Sequence, residues 1–107
     1  MVDFLTLDEA VQELGVPELV KIDVEGYQAK AVLGARDLIA KRQTAFVMEL
    51  HDPEKLERFG TTNADTVKPL LDAGYQGFWG GNHRDMDAVF QPIEAMEERL
   101  SLAVFIP

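Results

Sequence analysis

The sequence predicts an α/β fold, and two features of its pattern support that class. Short apolar segments recur along the chain, and longer segments with helical periodicity separate them. Strand–helix–strand order with apolar strands is typical of a mostly parallel sheet that helices cover on both faces. We expect four strands, with the last two in an antiparallel pair because no full helix lies between them. The 107 residues, 47% of them hydrophobic, suffice for one core.

The first predicted helix follows Thr6. Thr6 and Glu9 have the spacing of a capping box, in which a threonine and an acidic residue satisfy the first backbone N–H groups of a helix. Gly15 is a typical helix stop, and Pro17 blocks further helix. We therefore expect one short helix, from the residue after Thr6 to the residue before Gly15.

Two strands and a long helix are predicted next. Residues 19–24 and 44–51 alternate or concentrate apolar side chains in the way of buried strands. The segment between them predicts a helix over residues 27–42. Gly34 interrupts that helix, and it indicates a bend or a close approach to the sheet.

The second half of the chain predicts smaller elements. A helical turn is expected at residues 54–59, and a helix at residues 64–73 after a capped loop. Pro69 lies inside that helix, so we expect a kink or a helix start nearer Val67. The remaining expectations are strands at residues 75–79 and 101–106, a polar loop at residues 80–85, and a helical turn at residues 93–99.

Composition excludes several classes of function. The net charge of −9 argues against nucleic acid and anionic membranes as partners, since proteins that bind them carry clustered lysine and arginine. The absence of cysteine excludes disulfides, thiolate metal sites and a cysteine nucleophile. Apolar runs fall far short of the ~20 residues that span a bilayer, and the first residues do not resemble a signal peptide. We expect an acidic, cytoplasmic protein.

The most informative segment is the predicted strand over residues 19–24 with the two residues that follow it. Lys21, Asp23 and Glu25 alternate there with apolar residues, and Gly26 then frees the backbone to turn. Desolvating an ion inside a domain costs several kcal/mol unless it is paired. Three ions at the end of a strand therefore indicate a functional site. The alternative is a lysine–carboxylate network that only holds the sheet together.

The next strand also ends in ionisable residues, namely Glu49, His51 and Asp52. If the two strands are parallel neighbours with matching faces, Lys21 lies near both Asp23 and Glu49 and neutralises part of their charge. Ligands of open α/β sheets bind just beyond the carboxyl ends of the strands. We therefore expect a binding or catalytic site at this edge.

Four segments of the chain resemble the C-terminal half of FkbM-type S-adenosylmethionine-dependent methyltransferases. The resemblance is best over residues 3–52, and it rests on Leu7-Asp8, VKIDVEG at 20–26, VLGA at 32–35 and VMEL at 47–50. It implies a Rossmann-like sheet of seven strands with an antiparallel last hairpin. The strands of this chain would be the fourth to seventh of that sheet.

One departure from the family pattern concerns the cofactor. Such enzymes hold S-adenosylmethionine mainly on a glycine-rich turn after the first strand and on an acidic residue that ends the second. The chain contains no strand–GxGxG–helix element, and the glycines of residues 77–81 follow a late strand. We therefore expect residues 1–107 to be a single partial domain, with the N-terminal cofactor-binding half missing and with weak or no binding of S-adenosylmethionine.

The resemblance implies that Asp23 and Glu25 border the reacting methyl group and the acceptor. Our hypothesis is that Asp23 or His51 accepts the proton of an acceptor hydroxyl, while Glu25 and Glu49 orient the acceptor. For His51 the alternative is a surface turn residue before Asp-Pro.

The remaining expectations concern substrate binding and a metal site. We expect Lys21 and His83 to bind substrate, although His83 in a solvated loop is the simpler interpretation of that residue. Asp23, Glu49 and His51 include ligand types for a divalent metal. Their spacing forms no metal signature and Lys21 would oppose a cation, so we expect no metal site.

The leading hypothesis is the C-terminal portion of an O-methyltransferase that acts on a small hydroxylated metabolite or sugar-like acceptor and is inactive as an isolated chain. The alternative is a non-catalytic half-domain that self-associates, as a homo-oligomer, or docks with a separate N-terminal half. That alternative rests on the open edge of the strand at residues 19–24. A weaker third hypothesis is a small metal-dependent hydrolase.

Overall fold

The structure is a computed structural model, and it describes residues 6–22, 28–51, 53–58, 60–80, 90–93 and 101–107. In chain order the described elements are α1 (Leu7–Leu14), β1 (Leu19–Ile22), α2 (Gln28–Leu33), α3 (Arg36–Lys41), β2 (Ala45–Leu50), α4 (Pro53–Glu57), α5 (Asn63–Asp72), β3 (Gln76–Gly80), β4 (Gln91–Pro92) and β5 (Ser101–Ile106).

The strands form a single sheet in the order β1-β2-β5-β3-β4. β1 and β2 are parallel neighbours, and β5 lies antiparallel between β2 and β3. β1, β2 and β3 therefore point the same way. The predicted α/β class is confirmed, and so is the antiparallel pairing of the last two long strands, β3 and β5. The two-residue strand β4 beside β3 is an addition that the sequence pattern does not predict.

β1 and β2 occupy different places in this sheet. β2 lies between β1 and β5, whereas β1 lies at one edge of the described sheet, with β2 as its described neighbour. Leu19 of β1 is accordingly 58% exposed, whereas Phe46 of β2 is fully buried. β1 ends at Ile22, and the remainder of the predicted strand lies outside the described residues.

The long helix predicted over residues 27–42 is wrong in its continuity, because α2 and α3 are separated by a turn at Gly34. The close approach expected at Gly34 is to the start of α1 and not to the sheet. A Cβ on Gly34 would lie 3.1 Å from the Cβ of Thr6, and the Gly34 carbonyl accepts a hydrogen bond from the Asp8 N–H at 2.9 Å. A larger residue would separate α1 from this turn.

α1 begins and ends as its sequence predicts. The Thr6 hydroxyl oxygen accepts a hydrogen bond from the Glu9 N–H at 3.1 Å, and the hydroxyl donates to Glu9 Oε1 at 3.2 Å. At the other end Gly15 adopts a φ of 89°, where an L side chain is strained, and its N–H donates to the Val11 carbonyl.

Asp8 of α1 caps α3 across space. The residue before α3 is Ala35, which has no side-chain oxygen to accept from the first N–H groups of that helix. The Asp8 carboxylate accepts instead from the N–H groups of Asp37 at 3.0 Å and Leu38 at 2.9 Å. A carboxylate at a helix N-terminus is also favoured by the helix dipole. Asp8 therefore joins α1 to α3, which is a structural role for one residue of the family-like pattern.

α5 starts earlier than Pro69 suggests. Thr62 and Asp65 form a capping box, in which the Thr62 N–H donates to Asp65 Oδ2 at 2.8 Å. This cap fixes the helix start at Asn63, and the helix continues through Pro69 to Asp72, so the prediction of a start near Val67 is wrong. The helical turn expected after residue 53 is confirmed as α4.

The buried core includes residues of β2 and of its neighbour β5. Phe46 and Tyr75 meet edge to face, with ring centroids 5.8 Å apart, and the Tyr75 hydroxyl donates to the Thr44 carbonyl at 2.6 Å. Burial raises the pKa of Tyr75, although the Thr44 hydrogen bond and the charge of Arg42 act in the opposite direction. The other buried core residues include Ile22, Val32, Leu38, Met48, Leu50, Val67, Leu70, Trp79 and Phe105.

Candidate functional site

The candidate site lies where β2 ends, beside the end of β1. The parallel register pairs Lys21 with Val47 and Ile22 with Met48, so Lys21 lies two positions before Glu49 along the sheet. Val47 and Glu49 are half-buried, as is Ala45, and they alternate with the buried residues Phe46, Met48 and Leu50. Lys21 itself is exposed. The parallel pairing on which the predicted site depends is therefore present.

Three of the predicted site residues, Asp23, Glu25 and His83, lie outside the described residues. The roles assigned to these three residues remain predictions.

His51 is buried, with 4% of its surface exposed, and its backbone is held on both sides by one side chain. Its N–H donates to Asn63 Oδ1 at 3.3 Å, and its carbonyl accepts from Asn63 Nδ2 at 2.8 Å. The interpretation of His51 as a surface turn residue is therefore wrong. Within the described part of the chain, the buried imidazole Nε2 has no hydrogen-bond partner.

Gln28 supports the neighbouring part of β2. It is the first residue of α2, it is 1% exposed, and its Nε2 donates to the Glu49 carbonyl at 2.5 Å. Its other terminal atom, Oε1, is buried and has no hydrogen-bond partner among the described residues. The side-chain amides of two buried residues, Gln28 and Asn63, thus bind the backbone of Glu49 and His51 at the end of β2.

Sequence reasoning assigns neither Gln28 nor Asn63 to the site. Both stand at the beginning of a helix, where polar residues are usually solvated or serve as caps. Neither belongs to a spacing motif that carries chemistry. The one available signal is that Gln28 comes two residues after Gly26, directly behind the ionic segment.

A third unpartnered atom lies nearby in the chain. Thr61 Oγ1 is buried and without a hydrogen-bond partner in the described ranges, and Thr61 precedes Asn63 by two residues. A cleft of about 440 Å³ is lined by residues of α2, among them Ala29, and by Thr61 and residues of α5. Among the described residues, the buried side-chain atoms that lack partners thus belong to the first residue of α2, the residue after β2 and a residue just before α5.

The described residues contain neither a metal-binding cluster nor a membrane-spanning helix. No three histidine, aspartate or glutamate residues among them are grouped in a way that would hold a metal ion. No helix in the described ranges has the length and apolar character needed to cross a membrane.

Comparison with known proteins identifies the family. No curated protein matches the chain. The solved structure of precorrin-6y C5,15-methyltransferase from Geobacter metallireducens GS-15 is similar at 15% identity and a TM-score of 0.48; the match covers 92% of this chain and 48% of that one. The chain thus spans about half the length of that protein. Residues 2–89 match the model of the methyltransferase FkbM domain, so the chain belongs to the FkbM methyltransferase family.

Proposed function

We propose that the chain is the C-terminal portion of an S-adenosylmethionine-dependent O-methyltransferase whose acceptor is a small hydroxylated metabolite or a sugar-like molecule. The family match over residues 2–89 is the observation that carries this proposal. The placement of Glu49 and His51 at the carboxyl end of β2 supports it, because ligands of open α/β sheets bind at that edge.

In this proposal S-adenosylmethionine supplies the methyl group, and residues of this chain hold the acceptor. Asp23 or His51 takes the proton of the acceptor hydroxyl, and Glu25 and Glu49 orient the acceptor. A positioned general base contributes about 10²–10⁴-fold in rate. Lys21 and His83 bind the acceptor from the rim of the site.

The geometry at His51 suits a base better than a structural residue. The ring is buried, so water does not compete for it, and Asn63 fixes the backbone from which it projects. Correct alignment of a base with the reacting hydroxyl contributes as much as its basicity. His51 Nε2 has no hydrogen-bond partner among the described residues, so an acceptor hydroxyl can take that place.

The described residues do not fit the larger part of the cofactor. The chain has no strand–GxGxG–helix element, which is the backbone cradle that enzymes of this kind use. We therefore propose that the adenosine and methionine contacts come mainly from an N-terminal half, and that the isolated chain is inactive.

Reconstitution tests this function. The chain is mixed with, or fused behind, the N-terminal half of an FkbM-type methyltransferase, and transfer of labelled methyl from S-adenosylmethionine to a panel of sugars and polyols is measured. We expect transfer in the reconstituted protein only, and a loss of at least tenfold in His51→Ala but not in the exposed control Glu54→Gln. Transfer to none of the hydroxylated acceptors would contradict the proposal.

Calorimetry tests the cofactor part separately. S-adenosylmethionine at millimolar concentration is titrated into the isolated chain, and we expect no heat of binding. Micromolar affinity would show that the cofactor site is present in these residues.

A second candidate function is a half-domain that pairs through β1. The observation that favours it is the open side of β1 in the described sheet, together with the exposed side chains of Leu14 (85%), Val16 (40%) and Leu19 (58%). An apolar groove of about 260 Å³ between α1 and Val20 adjoins them. Unpaired strand edges and apolar patches favour association with another chain.

Size-exclusion chromatography with light scattering tests this second candidate over a range of concentrations. We expect association that Leu19→Lys abolishes and that Leu33→Lys leaves unchanged, since Leu33 is equally exposed (64%) but lies on α2. A monomer at all concentrations would contradict self-association.

A further inference from the structure

Three buried polar atoms without partners stand out in the described chain: Gln28 Oε1, His51 Nε2 and Thr61 Oγ1. Folded proteins pair nearly all buried polar groups, because an unpaired one loses its hydrogen bonds to water. Gln28 and His51 are 1% and 4% exposed, so solvent does not replace the absent partners. Such groups persist where a ligand or an ordered water completes their hydrogen bonds.

The side chain of Gln28 is fixed in a defined orientation. Its Nε2 donates to the Glu49 carbonyl, so its Oε1 is the atom left over, and an amide oxygen only accepts hydrogen bonds. A ligand at Oε1 must therefore present a donor. A hydroxyl meets that requirement, whereas a carboxylate or phosphate oxygen would face another acceptor.

Gln28 Oε1 and His51 Nε2 both belong to side chains held at the end of β2. Gln28 binds the carbonyl of Glu49, and His51 follows two residues later, so their anchor points are at most about 7 Å apart along an extended chain. Both side chains therefore begin from the same end of β2, where one small polyol can present a hydroxyl to each. The His51 nitrogen either donates to a hydroxyl oxygen or accepts from its proton, whereas Oε1 only accepts.

We propose that Gln28 is an acceptor-binding residue, and that Gln28 Oε1 and His51 Nε2 together bind two hydroxyls of a neutral polyol. The proposal rests on the proposed function for the identity of this polyol as the methyl acceptor. Asn63 is a positioning residue here, since it touches the backbone of His51 and holds the ring in place. The class of substrate is thereby narrowed to ligands with neighbouring hydroxyl donors.

Nuclear magnetic resonance of the 107-residue chain tests this pair of contacts. The probes are methyl α-D-glucopyranoside and myo-inositol, each titrated at millimolar concentrations. We expect saturable shifts of the Gln28 side-chain amide and the His51 ring, while the exposed amides of Gln43 and Gln76 remain unchanged. No shift with either probe, or equal shifts at all glutamine amides, would overturn the proposal.

Variants distinguish binding from structure. Gln28→Leu and His51→Phe should each weaken the binding of the probe at least tenfold, and Gln76→Leu, an exposed site on β3, should not. His51→Phe keeps the Gln28–Glu49 hydrogen bond, so it remains informative if Gln28→Leu does not fold. Undiminished binding in His51→Phe or in a folded Gln28→Leu would overturn the proposal.

The result of this binding experiment can be distinguished from the result of the methyl-transfer experiment. Methyl transfer does not enter the measurement, so localised shifts without transfer in the reconstituted enzyme would refute the methyltransferase proposal alone. Transfer that is unaffected by Gln28→Leu would refute the role of Gln28 alone.

Discussion

β1 and β2 are neighbouring parallel strands with similar sequence patterns, yet they experience different surroundings. β2 has partners on both sides and alternates buried with half-buried residues. β1 lies at an edge of the described sheet, and two of its four residues, Leu19 and Lys21, are exposed. Alternation in sequence therefore predicts a strand and its faces. It does not predict whether a neighbour covers the second edge.

The largest expected effect contrasts one leucine from each strand. Leu50→Ala on β2 removes a 1%-exposed side chain and should lower the free energy of unfolding by about 2–5 kcal/mol. Leu19→Ala on β1 removes the same atoms from a 58%-exposed position and should change it by less than about 0.5 kcal/mol. Urea denaturation measures both. Equal losses would show that β1 is covered in solution.

The next effect concerns α1, which caps the start of α3. Asp8→Ala removes the carboxylate that accepts from the N–H groups of Asp37 and Leu38, so we expect a loss of about 1–2 kcal/mol in the free energy of unfolding. Glu13→Ala, an exposed change on the same helix, is the control. Hydrogen exchange should accelerate at the start of α3 in Asp8→Ala. Unchanged exchange there would contradict the capping role.

A smaller effect concerns the residue that supports the beginning of β2. Tyr75→Phe removes the hydrogen bond from the phenol to the Thr44 carbonyl, and it should cost about 1 kcal/mol of unfolding free energy. Thermal or urea unfolding near neutral pH measures this difference. A loss above 3 kcal/mol would indicate repacking of the core and not the loss of a single bond.

The same tyrosine predicts a dependence on pH. Burial raises the pKa of Tyr75 above its usual value of about 10, so the folded state keeps the phenol proton longer than the unfolded state. The contribution of the protonated Tyr75 phenol to the free energy of unfolding is complete below about pH 10 and is lost as pH rises through the folded-state pKa. The decline above pH 10 should be smaller in Tyr75→Phe. An identical decline in both proteins would contradict the raised pKa.

The sequence predicts much of this fold for physical reasons that are local. Thr6, Gly15 and the alternation in β2 act within a few residues, and each behaves as expected. The sequence also indicates the bend at Gly34. The contact of Gly34 with the start of α1 and the capping of α3 by Asp8 are not predictable in this way, because they depend on contacts between segments about 30 residues apart.

The candidate site shows the same difference between features that depend on nearby residues and features that depend on distant contacts. The position of Glu49 and His51 at the carboxyl end of β2 is predictable, because the alternation of residues 44–51 marks the strand, and the register places its end at the expected edge. Gln28 and Asn63 are not, since an amide has no charge pattern and acquires its role only when the helices bring it against β2. Buried amides that support a site are therefore visible only in the structure.

The most direct test of the account is the free energy of unfolding of His51→Leu. If His51 is kept for a ligand, replacing its buried and unpartnered nitrogen with an apolar side chain should leave the protein as stable or up to about 2 kcal/mol more stable. A loss of about 2 kcal/mol or more, comparable with Leu50→Ala, would show that His51 is a structural residue and would contradict the account of this site.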